Sequence, residues 1–306
     1  MPMELNRREL KARAREQMRE TRPPFWLLTL VYLLLTTGVS TLADLTGAAQ
    51  WSFPPSGGDT LPLFLYLLIL LYTTVMNFGY QIWALRVCRR QPVGYGTLID
   101  GFSMAGRVLL MELYLFGCAL CWALLFGIGG TVVLFFLLTW APPALLMLLF
   151  YGAVFCIALW ISYRYALAPF LLMDRPEAGP IAPVRESVAM MRGWKWEYFK
   201  LDFSFFGWYL LNAILSFVVE GAFLFPSILE LLQAPELDPA LLINGLELPW
   251  VAVLLSTLIQ VPLSLWLDPY VSIAHAGFYQ ARVQQAAAPP PVWDTPYDGP
   301  YSGSEL

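Results

Sequence analysis

The chain has 306 residues, 58% of them apolar and 13% charged, with a mean hydropathy of +0.60 and a formal net charge of −4. Soluble domains average roughly 45–50% apolar and about 25% charged residues, so these proportions exclude an ordinary water-soluble globule. Apolar runs recur along nearly the whole length, which predicts one all-α membrane domain in place of two soluble ones.

Residues 1–24 form a basic N-terminal segment, with seven Arg or Lys between Arg7 and Arg22. A hydrocarbon slab about 30 Å thick takes roughly 20 helical residues, and six runs meet that length. They cover 25–45, 61–85, 108–138, 144–173, 203–224 and 249–279, predicting a polytopic transmembrane helix bundle with six spans over residues 25–282. Ser40 to Ala43 faintly resembles a signal-peptidase site, but the arginine-rich leader and the apolar run are both long for one, so a retained anchor is expected. At 1.5 Å per residue, Val108 to Leu138 would extend about 46 Å and must tilt, protrude or break. Gly127, Gly129 and Gly130 mark either a break or a close helix crossing. Residues 283–306 make a Pro-rich tail expected to be disordered. Pro289 to Pro291, with Trp293, Tyr297 and Tyr301, would suit a short extended ligand for a protein partner.

Connecting segments divide by charge. Arg86, Arg89, Arg90 and Arg107 bracket the second, and Arg164, Arg175, Arg185, Arg192, Lys195 and Lys200 surround the fourth. Segments 46–60, 139–143 and 225–248 contain no Lys or Arg and carry Asp59, Glu230, Glu236, Asp238 and Glu247. Cytoplasmic loops retain positive charge, so both termini are expected in the cytoplasm. This asymmetry argues against nucleic acid as a partner and for a bilayer with anionic inner-leaflet headgroups.

The stretch "MMRGWKWEYFKLDFSFFGW" (190–208) joins three basic groups to eight aromatic rings. Pro183 suits a helix's first turn, and Val184, Val188, Met191, Lys195 and Tyr198 follow near helical spacing. This predicts an interfacial amphipathic helix bent at Gly193, with Trp194, Trp196, Tyr198 and Phe199 at headgroup level. Arg192, Trp194, Lys195, Trp196 and Lys200 are the expected lipid contacts, the lysines by snorkelling. An ordinary juxtamembrane loop with an aromatic belt is the alternative. Similar basic segments, 4–22 and 97–107, precede the first and third spans, which suggests three hairpins each entered through such an elbow.

The runs "YRYALAPFLLMDRPEAG" (163–179), "ESVAMMRGWKWEYFKLDFSFFGWYLL" (186–211) and "LWLDPYVSIAHAGFY" (265–279), with "ELKARAREQM" (9–18), resemble a bacterial integral membrane family catalogued as domain of unknown function 975. The resemblance is distinctive in the C-terminal half and diffuse over 25–160. The family's Ile-Pro-Gly near the end of its middle span is missing, Trp194 replaces a more polar residue, and 226–248 resembles an added loop. The resemblance implies a multi-pass protein of the bacterial plasma membrane and supplies no activity.

Groups for catalysis are few. His275 is the only histidine, which excludes a multi-histidine zinc site. Cys118 and Cys121 form a Cys-x-x-Cys inside a span without further ligands, and with Cys88 and Cys156 they read as small packing residues. There is no Walker lysine loop, nucleophile elbow or dinucleotide glycine pattern, so no catalytic residue, metal or cofactor is expected. Ionisable groups inside spans mark function by default. Counting residues along the helices places Asn77, Glu112, Arg164 and Asp268 at similar depth, predicting a polar layer with an Arg164–Asp268 ion pair; separate snorkelling to the interface is the alternative. Glu220 is expected near water, Asn212 in an interhelical hydrogen bond, and His275 packed or against headgroups. These features favour a non-enzymatic protein that organises helices, lipids or partners. The alternative is a small-solute or ion transporter using the polar layer.

Overall fold

The computed structural model describes residues 6–46, 60–137, 142–233 and 248–287. Asp59, Glu236, Asp238 and Glu247, most of the 226–248 loop and the tail beyond Ala287 lie outside them. Among the described residues the chain is all helix: α1 (Arg7–Glu20), α2 (Phe25–Leu33), a π-helical segment (Leu34–Gly38), α3 (Val39–Leu45), α4 (Thr60–Cys88), α5 (Gly96–Ser103) and α6 (Ala105–Leu137). There follow α7 (Pro143–Tyr165), α8 (Ala168–Asp174), a 3-10 turn (Pro176–Ala178), α9 (Ile181–Met190), α10 (Lys195–Phe203), α11 (Phe206–Gln233) and α12 (Trp250–Ala287). Six helical stretches are long and apolar enough to cross a membrane: Phe25–Leu45, Leu61–Cys88, Ala105–Val132, Leu145–Asp174, Phe206–Pro226 and Trp250–Ala286.

The last helix organises the rest. Its 38 residues extend about 57 Å, well beyond a slab of about 30 Å. Pro262 and Pro269 each remove one amide donor, yet the helix runs through both. It packs along α11, α4, α1 and α2. Most of the core gathers where α12 projects, at the end carrying the basic segments: Leu28, Trp83, Met191, Phe205, Phe278 and Tyr279 are almost fully buried there. At most 17% of the apolar stretch of any span is buried. The cause is the solvent. At a water-facing end, burial yields about 25 cal/mol per Å² of apolar area, whereas helices bathed in lipid gain only packing and hydrogen bonds on association.

Three features left open or expected otherwise take a definite form. The fourth span is not continuous: the helix stops at Tyr165 and restarts at Ala168, with Pro169 in the first turn of α8. Ser187, fully buried on α9, bridges this break by accepting the Leu167 amide hydrogen at 3.2 Å and donating to the Arg164 carbonyl at 3.2 Å. Ser187→Ala should cost about 1–3 kcal/mol by orphaning both groups, measured by thermal or denaturant unfolding in detergent. An unchanged midpoint would remove Ser187 from this role. The third span is a single helix through Gly127, Gly129 and Gly130. Only Gly130 is a crossing point, since a Cβ there would stand 2.7 Å from the Phe150 ring of α7.

The second elbow packs closely on the span before it. α5 folds back along α4, where a Cβ on Gly79 would enter the Leu98 carbonyl and one on Gly101 would stand 2.7 Å from the Val75 carbonyl. Two glycines thus let two backbones touch, and Arg86 closes the pair by an ion pair to Asp100 at 2.7 Å. The third elbow divides into α9 and α10 at Gly193, whose φ of +77° is open to glycine without strain. Ser187, in place of the expected Val188, joins Val184, Met191 and Tyr198 on the buried side.

Candidate functional site

The projecting part of α12 presents a polar or aromatic side chain to a different neighbour at nearly every turn. Tyr279 donates its hydroxyl to Asp174 Oδ2 at 2.7 Å, while Arg89, just past the end of α4, grips both Asp174 oxygens at 2.7 and 2.6 Å. Arg89 Nε also donates to Gln280 Oε1 at 3.0 Å. The carboxylate's hydrogen bond holds the Arg89 guanidinium above its usual range, outweighing partial burial. His275 Nε2 lies 2.6 Å from Asp202 Oδ1 on α10, and its ring stacks on Tyr198 at 5.1 Å. Arg282 donates to the Met190 carbonyl at 3.0 Å and covers the Trp194 ring at 4.3 Å. From α1, Lys11 donates to the Ser204 carbonyl and hydroxyl at 3.2 and 3.1 Å above the Phe205 ring, and burial together with nearby Arg15 lowers its pKa.

Several side chains expected to contact lipid also have partners within the chain. Trp194 is half-buried and serves as the platform for Arg282, and Tyr198 is buried against Tyr163, His275 and Phe278. Tyr198 is thus enclosed, while Trp194 has one face occupied and part of its surface exposed. Lys200 is paired with Glu197 on its own helix. Trp196 is 63% exposed, and Arg192 is exposed. Lys195 stands 3.7 Å above the Trp160 ring of α7.

The four residues read as one polar layer do not meet. Asn77 is exposed on α4 and among the described residues accepts only from Gln81, at 3.4 Å. Glu112 has no hydrogen-bond or ion-pair partner among the described residues. Arg164 spreads over the Trp160 and Tyr165 rings at 5.6 and 6.0 Å, and among the described residues no ion pair joins it to Asp268. The reason is azimuth. Residue counting fixes depth along a helix but not the face turned towards a neighbour. Asp268 turns towards the first span, where a groove of about 490 Å³ runs between that span and α12. Leu30, Leu34, Leu254 and Leu258 make its walls, and Thr41, Gln260, Ser264 and Asp268 supply polar groups. The π-helical segment lines it too, and such wide turns recur at functional positions.

Further along, Gln260 donates to Ser216 Oγ at 2.9 Å and Ser216 to Glu220 Oε1 at 3.0 Å, joining α12 to α11. Glu220 therefore has an internal partner. The bond across these helices falls one turn after Asn212, whose Oδ1 is buried without a partner. Cys118 and Cys121 are free, and among the described residues no group of three His, Cys, Asp or Glu could hold a metal ion.

Six apolar spans gathered by a dense helical cap at their basic end define an all-α polytopic membrane protein. The family described as Protein of unknown function (DUF975) matches residues 1–286, and the chain belongs to it. No curated protein and no solved structure matches the chain.

Proposed function

We propose that this chain is a non-enzymatic protein of the bacterial cytoplasmic membrane, with its basic end and both termini in the cytoplasm, that organises inner-leaflet lipids and partner proteins. The observation that supports the reading is the split described above: a compact cap at the basic end, and spans that turn most of their surface outward. A protein built this way has a rigid platform at one interface and a large surface for lipid or other helices at the other. The basic side chains around the platform suit anionic headgroups, each contributing about 1 kcal/mol near a charged surface. The Pro-rich composition of the tail suits recognition by a soluble partner.

A second reading, a small-solute or ion transporter, draws support from Asp268, which lines a groove without a hydrogen-bond or ion-pair partner among the described residues. One experiment separates the two. Single cysteines at 77, 112, 164 and 268 in a cysteine-free background are exposed to an impermeant thiol reagent from each face of sealed vesicles, with positions 16, 46 and 175 as controls. The organising reading expects 16 and 175 to label only from the cytoplasmic face, 46 only from the other, and 112 and 268 from neither. Labelling of 112 and 268 that a solute blocks would overturn it for the transporter.

A further inference from the structure

We propose that Arg164 and Lys195 together bind one phosphate group, presented by the headgroup of an anionic phospholipid at the basic face. The inference rests on the lipid-organising reading and locates it at one corner, where the end of α7 meets the start of α10.

Both cations address the same ring. Lys195 Nζ stands 3.7 Å and Arg164 Cζ 5.6 Å from the centroid of Trp160. The Arg164 charge is felt at Lys195, so the two cations repel one another and an anion between them would offset the repulsion. The chain supplies none: among the described residues neither takes part in an ion pair. Several cations at this end have carboxylates, Arg86 with Asp100, Arg89 with Asp174, Arg175 with Glu186 and Lys200 with Glu197, while Arg107, Arg185 and Arg192, which also lack an ion pair among the described residues, are exposed. The carboxylate nearest in sequence, Glu197, is thus engaged with Lys200.

A second observation points the same way. Arg164 Nε is buried and has no hydrogen-bond acceptor. A buried donor left unsatisfied costs about 1–3 kcal/mol and more when charged, so an acceptor that reached it would stabilise the folded chain. Lys195 is the first residue of α10, whose N-cap residue Trp194 makes no side-chain cap hydrogen bond. The first amides of that helix therefore add partial positive charge to the corner. Burial and the Arg164 charge both lower the Lys195 pKa, as expected of cations lacking a counter-charge.

Chemistry and depth select the ligand. A guanidinium fork and an ammonium match the tetrahedral oxygens of phosphate. Arg164 lies one residue before the end of α7, where the helix breaks, and Lys195 opens α10 beside it at the basic end. Trp160 and Trp196, both exposed, flank the corner as amphipathic rings do at the membrane interface.

The test uses the full chain in detergent, with phosphatidylglycerol, phosphatidylcholine or inorganic phosphate added, read by native mass spectrometry and by melting temperature. Wild type should retain phosphatidylglycerol over phosphatidylcholine, and Arg164→Met with Lys195→Met should lower that retention roughly tenfold or more. Lys195→Glu keeps the fold testable, because it supplies Arg164 with a carboxylate of its own. It should abolish retention while raising the melting temperature in the absence of phosphatidylglycerol. Stabilisation of wild type by inorganic phosphate alone, without preference for phosphatidylglycerol, overturns the lipid as source. Equal retention by wild type and both variants overturns the site. A chain that shows lipid preference unaffected by these variants keeps the organising reading and loses this corner, whereas no lipid preference at all counts against both.

Discussion

Gly79→Val will remove most of the folded chain. The new side chain must enter the Leu98 carbonyl, which belongs to the backbone of α5 and cannot rotate aside as a side chain would. Overpacking a core costs about 1–3 kcal/mol when side chains can yield, and a backbone obstacle places this variant at or above about 3 kcal/mol. Gly101→Val should behave alike, since its Cβ would stand 2.7 Å from the Val75 carbonyl and close to Gly79. Gly117→Val is the control, because a Cβ on Gly117 meets nothing within 4 Å. The yield of monodisperse protein in mild detergent and its melting temperature give the comparison. If Gly79→Val melts with Gly117→Val, then α5 does not lie against α4 as described.

Breaking the Arg89–Asp174 pair is the second large effect. The two side chains are 26% and 24% exposed and meet through two parallel bonds. Removing one partner of a buried pair costs about 3–5 kcal/mol, and partial exposure reduces the expectation here to about 2–3 kcal/mol for Arg89→Ala or Asp174→Ala. The double variant should lose clearly less than the sum, by about 1 kcal/mol or more, because the second removal leaves no orphaned charge. Tyr279→Phe should cost about 1 kcal/mol through its single bond to Asp174. Denaturant unfolding of all four variants closes the cycle, and strictly additive losses would show that the pair is not coupled.

The spans were legible because a lipid slab imposes a length and an apolar composition that few other environments demand, and Phe25–Leu45 matches its expected bounds. The bend at Gly193 was legible too, from a glycine inside an otherwise helical pattern. The break at Ala166 and Leu167 was less so, since Pro169 alone marks it and the side chain that stabilises it, Ser187, lies 20 residues further on. Arg164 and Asp268 illustrate the limit most sharply. Their depths follow from residue counts, while their facing depends on how three or four helices roll against one another. Asp202, the partner of His275, carried a faint signal as one of two acids, with Glu197, on a short aromatic-rich helix. The α4–α5 contact had only Gly79 and Gly101 to announce it, and glycine is common in membrane helices for many reasons.

The reach of α12 also sets a schedule. Ribosomes deliver the chain from its N-terminus, so α1 and the end of α4 emerge long before the helix that covers them. Arg89 waits for Gln280, 191 positions later, and the last helix described here also supplies Tyr279 to Asp174 and His275 to Asp202. Each earlier span is therefore inserted without its final neighbours, and the cap closes only after the sixth has entered. During that interval the uncovered faces of α1, α4 and α10 are the surfaces on which membrane chaperones and proteases would judge the newborn protein.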